Sequence, residues 1–165
     1  REDGSDCAFD EIGLLHIHRE NTIRGYLNRP GLLDEAITAD GQWFNTGDLA
    51  RVDEDGFVYL EGRKKEMIIV AGENVFALEV ERCILALDGV KEVAVVGIPA
   101  TGPRAALGEL VKAVVVPVPG SGLTPRDVKR HCVERLASYK VPQVLEFSEG
   151  LPRNPSGKVL KQQLV

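Results

Sequence analysis

Met67-Ile-Ile-Val-Ala-Gly-Glu-Asn74 is the stretch from which the fold can be read. Met67 to Val70 is an apolar run rich in β-branched residues, which suits a buried strand, and Ala71-Gly72-Glu73-Asn74 ends it. Val80, Ile84 and Leu87 then recur at helical spacing, and Asp88-Gly89 closes that helix. Val90 to Ile98 and Glu109 to Val118 read as strands, the second ending between Pro117 and Pro119. Thr124 as N-cap, Pro125 in the first helical position and Asp127 in the first turn start a second helix. That helix carries Val128, Cys132 and Leu136 at i, i+4 and i+8, and Val144 to Phe147 follows as a short strand. The order β-α-β-β-α-β from residue 67 predicts a small α+β domain, its helices packed on a mainly antiparallel sheet.

Upstream of Met67 the pattern changes. Residues 61–66, Glu-Gly-Arg-Lys-Lys-Glu, form a polar break where composition shifts, as interdomain linkers do. Before it the elements are short and β-rich. Ile12 to Ile17 reads as a strand, Gly25 to Pro30 as a turn and Leu32 to Ile37 as a short helix. A strand over Leu49 to Val52 turns through Asp53-Glu-Asp-Gly56 into another over Phe57 to Leu60. A domain boundary is natural at this break.

Composition narrows the function classes. The formal charge of -5 argues against general attraction to nucleic acid or to an anionic membrane. The longest apolar runs, such as Ala113 to Val116, are far too short for a membrane span. Cys7, Cys83 and Cys132 are odd in number and widely spaced, with neither metal-ligand nor disulfide-scaffold spacing, so a cytoplasmic setting is expected. The acidic first residues, among them Glu2, Asp3 and Asp6, do not read as a signal peptide. Because the chain begins with Arg1, a cleaved segment upstream is left open.

Chemistry concentrates in a few stretches. Leu151-Pro-Arg-Asn-Pro-Ser-Gly-Lys158 has an extended, then tightly turned backbone that presents Lys158 at a loop tip. The ordinary reading is a solvated lysine; the alternative is a cation that meets a phosphate or a developing anion. Thr46-Gly47-Asp48 reads as a turn between strands. Its carboxylate either bonds its own backbone or accepts from sugar hydroxyls. Gly62-Arg63-Lys64-Lys65-Glu66 is either a solvated charge run or a hinge. His16 and His18 share a strand face but lack further ligands for a metal, and His131 is expected to face solvent. No glycine-rich phosphate loop is present.

Together these stretches resemble the adenylate-forming superfamily, which includes acyl-CoA synthetases, amino-acid adenylation domains and beetle luciferases. The stretches that carry the resemblance are Glu11-Ile-Gly-Leu-Leu, Gly25 to Pro30, Trp43 to Asp48, Gly62-Arg63, Gly72-Glu-Asn74, Glu79-Val-Glu81, Tyr139-Lys-Val-Pro142 and Pro152 to Lys158. All fall in the family's order and rough spacing.

The resemblance implies a two-step reaction. A carboxylic acid attacks ATP, with Mg²⁺ present, to give an acyl-adenylate; then a thiol, coenzyme A or a carrier protein's phosphopantetheine, takes the acyl group. It further implies that Lys158 is the catalytic lysine and that Asp48 binds the ribose hydroxyls with Arg63 nearby. Lys65 would be the hinge residue, and Gly72, Glu73 and Asn74 would line the thiol channel. Residues 1–62 would be the tail of a large N-terminal domain and residues 63–165 a mobile C-terminal domain with its hinge at 63–66.

The family's ATP loop and acyl pocket lie upstream of anything here, so the isolated chain is expected to be inactive. Pro99 to Gly108 departs from the shorter acidic loop common in the family. An assembly-line adenylation domain, an acyl-carrier-protein ligase and a non-catalytic docking module stand as alternatives.

Overall fold

The computed structural model describes residues 1, 3–29 and 31–165. Glu2, and Pro30 at the end of the expected Gly25–Pro30 turn, lie outside the described residues. The chain forms two compact units, Arg1–Lys65 and Glu66–Val165.

The first unit is a three-stranded antiparallel sheet in the order β1 (Gly13–His18), β2 (Trp43–Val52), β3 (Val58–Arg63). The β2–β3 turn is the one read from Asp53 to Gly56. Asp53 Oδ1 accepts from the amides of Asp55 (3.1 Å) and Phe57 (2.9 Å), and Gly56 takes φ +85°. The expected helix over Leu32 to Ile37 is a single 3₁₀ turn, Asp34–Ala36. Among the described residues of the first unit, Leu33, Leu49 and Ala50 are the buried apolar ones. Two readings need correction. Thr46-Gly47-Asp48 lies inside β2, so it does not separate two strands; and β3 runs on to Arg63, taking in half of the expected polar break.

The second unit begins with a hairpin, β4 (Met67–Val70) and β5 (Glu73–Phe76), followed by α1 (Ala77–Leu85). Strand β5 is the strand absent from the expected order. Ala71 and Gly72 both take positive φ, +52° and +86°, the two-residue turn that folds a strand straight back on itself. Glu73 therefore pairs with Val70 and Phe76 with Met67. Then come β6 (Val90–Pro99), a 3₁₀ segment Gly102–Leu107, β7 (Glu109–Pro117), α2 (Pro125–Arg135) and β8 (Val144–Phe147). The sheet order is β6-β7-β8, with β6 antiparallel and β8 parallel to β7. The parallel pair follows from α2, which carries the chain back across the sheet.

Period-two alternation splits the strand residues between the sheet's faces. Val95, Val111, Ala113 and Val115 pack with Val80 and Ile84 of α1 and Val128 and Cys132 of α2. Ala94, Val96 and Val114 pack instead with Leu164, and Ile98, Leu151 and Val159 join them. The C-terminal segment thus covers the face away from the helices, and this places residues 151–160.

Helix α2 starts as read. Thr124 accepts from the Asp127 amide while the Asp127 carboxylate accepts from the Thr124 amide, a capping box. His131, expected at the surface, is buried at 9% exposure. Its Nε2 lies 2.9 Å from the carbonyl of Cys83, in the last turn of α1. A carbonyl only accepts, so Nε2 carries the proton and satisfies one of the orphan acceptors of that helix end.

Candidate functional site

Asp48 and Arg63 come together on the sheet of the first unit. They are register partners of β2 and β3, and Arg63 Nε stands 2.9 Å from Asp48 Oδ1. The local backbone is irregular on both sides. β1 and β2 lose register between Leu14 and His16, opposite Asn45 to Leu49. A bulge lets Glu61 stand between Leu60, opposite Ala50, and Gly62, opposite Leu49. Polar side chains stabilise the distortion. Asn45 Oδ1 accepts from the Gly47 amide (2.9 Å), Thr46 Oγ1 accepts from the Asp48 amide (3.0 Å), and the Thr46 hydroxyl donates to the carbonyl of Leu15 (2.9 Å). Gly47 takes φ +74°, where a side chain is strained. Arg63 Nη1 also donates to the carbonyl of Thr46 at 3.3 Å, so one guanidinium holds both the strand and its carboxylate. Asp48 is 27% and Arg63 41% exposed. A carboxylate braced in this way on one oxygen remains an acceptor for hydroxyl donors.

Lys65 lies in the 3₁₀ turn Lys64–Glu66, exposed, at the end of the first unit; Glu66 opens the second.

Gly72, Glu73 and Asn74 are exposed at the tip of the β4–β5 hairpin. The hairpin is tied down around them. The Ala71 amide donates to the carbonyl of Leu107 (2.8 Å), Val70 bridges to Gly108, and Glu109 Oε2 accepts from the Ile69 amide at 2.7 Å. The segment Pro99 to Gly108, where the sequence departs from the family's usual loop, is therefore the support of this hairpin. Non-glycine residues seldom take positive φ, so Ala71 holds its conformation because these contacts over-determine it.

Lys158 is exposed and follows a tight turn. Asn154 organises that turn: its Oδ1 accepts from the amides of Ser156 (3.1 Å) and Lys158 (2.8 Å) and from the Ser156 hydroxyl (2.8 Å). The Asn154 amide donates to the carbonyl of Lys158 at 2.9 Å, and Gly157 takes φ +85°. Arg153 bridges to Val159 in β fashion, donates from Nη1 to the Gly157 carbonyl at 2.6 Å and pairs with Glu92 of β6. The ammonium of Lys158 thus stands in solvent on a backbone that is fixed.

Sequence reasoning assigned no role to Arg153, Asn154 or Glu92. The Asn-x-Ser-Gly spacing signals an Asx turn. The Arg153–Glu92 pair, 61 residues apart, had no local signal. Elsewhere in the second unit, Lys140 Nζ lies 2.7 Å from both oxygens of Glu79.

Residues 79–158 match the family model for the AMP-binding enzyme C-terminal domain. The chain is 42% identical over 161 residues to the 3-[(3aS,4S,7aS)-7a-methyl-1,5-dioxo-octahydro-1H-inden-4-yl]propanoyl:CoA ligase of Rhodococcus jostii (strain RHA1), covering 98% of this chain and 30% of that protein. It is 39% identical over 152 residues to the long-chain-fatty-acid–CoA ligase FadD13 of Mycobacterium tuberculosis (strain ATCC 25618 / H37Rv), 92% of this chain and 29% of that one. Among solved structures, ATP-bound MatB from Rhodopseudomonas palustris superimposes with a TM-score of 0.88 at 37% identity, over 99% of this chain and 31% of MatB. The chain spans about a third of the length of these relatives. The α+β fold, the family model and the relatives agree: this chain belongs to the adenylate-forming AMP-binding enzyme family and corresponds to the C-terminal region of its acyl-CoA ligases.

Proposed function

We propose that this chain is the C-terminal part of an ATP-dependent acyl-CoA synthetase, which converts a carboxylic acid to its acyl-adenylate and then to a thioester of coenzyme A. The observation that carries the reading is Lys158, an exposed ammonium on a rigid turn inside the matched family region. Adenylation brings a carboxylate anion against the α-phosphate of ATP, and a positioned cation offsets the charge that builds up there. In this reading Lys158 meets the carboxylate and the α-phosphate. Asp48 accepts from the ribose hydroxyls, with Arg63 bracing it.

Lys65 is the hinge of a mobile C-terminal domain that follows the tail of a larger N-terminal domain. In the second step the Gly72-Glu73-Asn74 tip lines the path of the thiol. ATP, Mg²⁺ and coenzyme A are co-substrates. Among the described residues no cluster of three or more His, Cys, Asp and Glu is placed to hold a metal. No helix among them is long and apolar enough to cross a membrane. On the ground of this chain's three widely spaced cysteines we place the full-length enzyme in the cytoplasm.

In the full-length protein, Lys158→Ala should lower ATP–pyrophosphate exchange by about a hundredfold or more, the scale of losing one transition-state donor. Thioester formation from supplied acyl-adenylate should stay near wild type. Equal losses in the two half-reactions would refute the assigned role. Running the second step with free coenzyme A and with a holo carrier protein identifies the acceptor.

A further inference from the structure

Three parts of the second unit converge on one ammonium. Lys161 Nζ lies 2.8 Å from Glu66 Oε2 and 2.8 Å from Glu81 Oε1. Lys161 is 22% exposed and Glu81 14%. Glu81 Oε1 also accepts from the Val95 amide at 2.8 Å, an outward-facing donor of the edge strand β6. Glu66 is the first residue of the second unit, next to Lys65. Glu81 belongs to α1. Lys161 opens the C-terminal 3₁₀ turn Lys161–Gln163, just past Lys158.

Burial works to lower the pKa of the Lys161 ammonium, but Glu81 and Glu66 outweigh it and raise it, so the group stays charged at neutral pH. Stability alone explains such a cluster poorly, because half-buried ion groups recover little more than their desolvation cost. What they do supply is a fixed geometry. On the other side of Lys158, Arg153 is anchored to Glu92. Lys158 is therefore bracketed by two ionic anchors, one to Glu92 on β6 and one to Glu66, the first residue of the second unit.

We propose that Lys161 is a positioning residue for Lys158. It ties the segment that carries Lys158 to Glu66 and to α1, so that the catalytic ammonium moves with the start of the second unit as one body. The inference rests on the role of Lys158 proposed above. Without the Lys161 cation, Glu66 and Glu81 face each other as like charges and the C-terminal turn is released. Adenylation, which uses Lys158, then suffers, while thioester formation, which does not, is spared.

The test uses the full-length protein. Lys161→Met keeps the stem and drops the charge. ATP–pyrophosphate exchange should fall about tenfold through kcat, the scale of a small misplacement of a catalytic group, with the KM for ATP little changed. Thioester formation from supplied acyl-adenylate should stay within about twofold, and Lys161→Arg should restore most of the exchange. Wild-type exchange in Lys161→Met overturns the inference, and so does an equal loss in both half-reactions, which would mark a merely structural role. Lys158→Ala is run beside it. If that variant exchanges normally, the functional reading itself fails; if it loses exchange while Lys161→Met does not, only the inference fails. Should Lys161→Met not fold, Glu66→Gln decides: a several-fold loss confined to exchange supports the proposal, and wild-type exchange overturns it.

Discussion

In the second unit the sheet is covered on both faces, by α1 and α2 on one side and by the C-terminal segment on the other, and Val95, Val111, Ala113 and Val115 are fully buried. The sheet of the first unit is covered thinly. No residue of β1 or β3 is buried, and Phe57, Val58, Tyr59 and Leu60 follow one another at 40% exposure or more. The second unit therefore carries a packed core of its own, and the turn that presents Lys158 stands on that core. The Asp48–Arg63 pair of the first unit is fixed chiefly by local polar bonds. The difference shows two ways of holding a side chain still: by packing beneath it, and by hydrogen bonds around it.

The sharpest test of this contrast truncates matched apolar residues. Ile84, fully buried in α1, should cost about 2–5 kcal/mol on replacement by alanine. Val58→Ala, at a position 52% exposed, should stay within about 0.5 kcal/mol. Urea unfolding followed by amide signals from each unit measures both. Comparable costs at the two sites would break the comparison.

A second, smaller effect is pH-dependent and confined to the second unit. Burial, reinforced by the neighbouring Cys83 thiol, raises the Cys132 pKa from 9.0 to about 12. Above pH 9 the unfolded chain loses this proton while the folded chain keeps it, so stability falls as pH rises towards 12. The slope is at most about 1.4 kcal/mol per pH unit for this group. Cys132→Ala should be less steep than wild type across that window; parallel curves would refute the coupling.

Smallest is the cap of α2. Thr124→Ala should cost about 1 kcal/mol near neutral pH. The Thr124 hydroxyl and amide hold the Asp127 carboxyl below its ordinary pKa. Its contribution is thus present above the unfolded value and lost as pH falls through the folded one. The difference between wild type and Thr124→Ala should shrink in acid, and a pH-independent difference would rule out the carboxylate's part.

Much of this could be read from sequence because it is local. The apolar run at Met67, the helical spacing of Val80 and Ile84, the Thr124 cap and the tight turn before Lys158 each act over a few residues, and each appears where expected. Three of the eight stretches that carry the resemblance, Glu79 to Glu81, Tyr139 to Pro142 and Pro152 to Lys158, lie within residues 79–158, the region that the family model matches. Strand β5 was missed because Ala71 in a left-handed conformation is against its own preference and is held there by Leu107 and Gly108. The strand character of Thr46 to Asp48 was missed because Gly47 signals a turn, and only pairing with β1 and β3 makes it a bulge.

By itself, then, the sequence determined both α-helices, most of the strands and the local turn chemistry. Tertiary structure alone decided that His131 turns inward to Cys83, 48 residues away, that Arg153 reaches Glu92 and that Lys161 reaches back 95 residues to Glu66. The physical reason is range. Backbone preferences and side-chain periodicity act between neighbours along the chain. An ion pair or a side chain–carbonyl bond depends on distance in space, which only the packed sheet and its covering segments set.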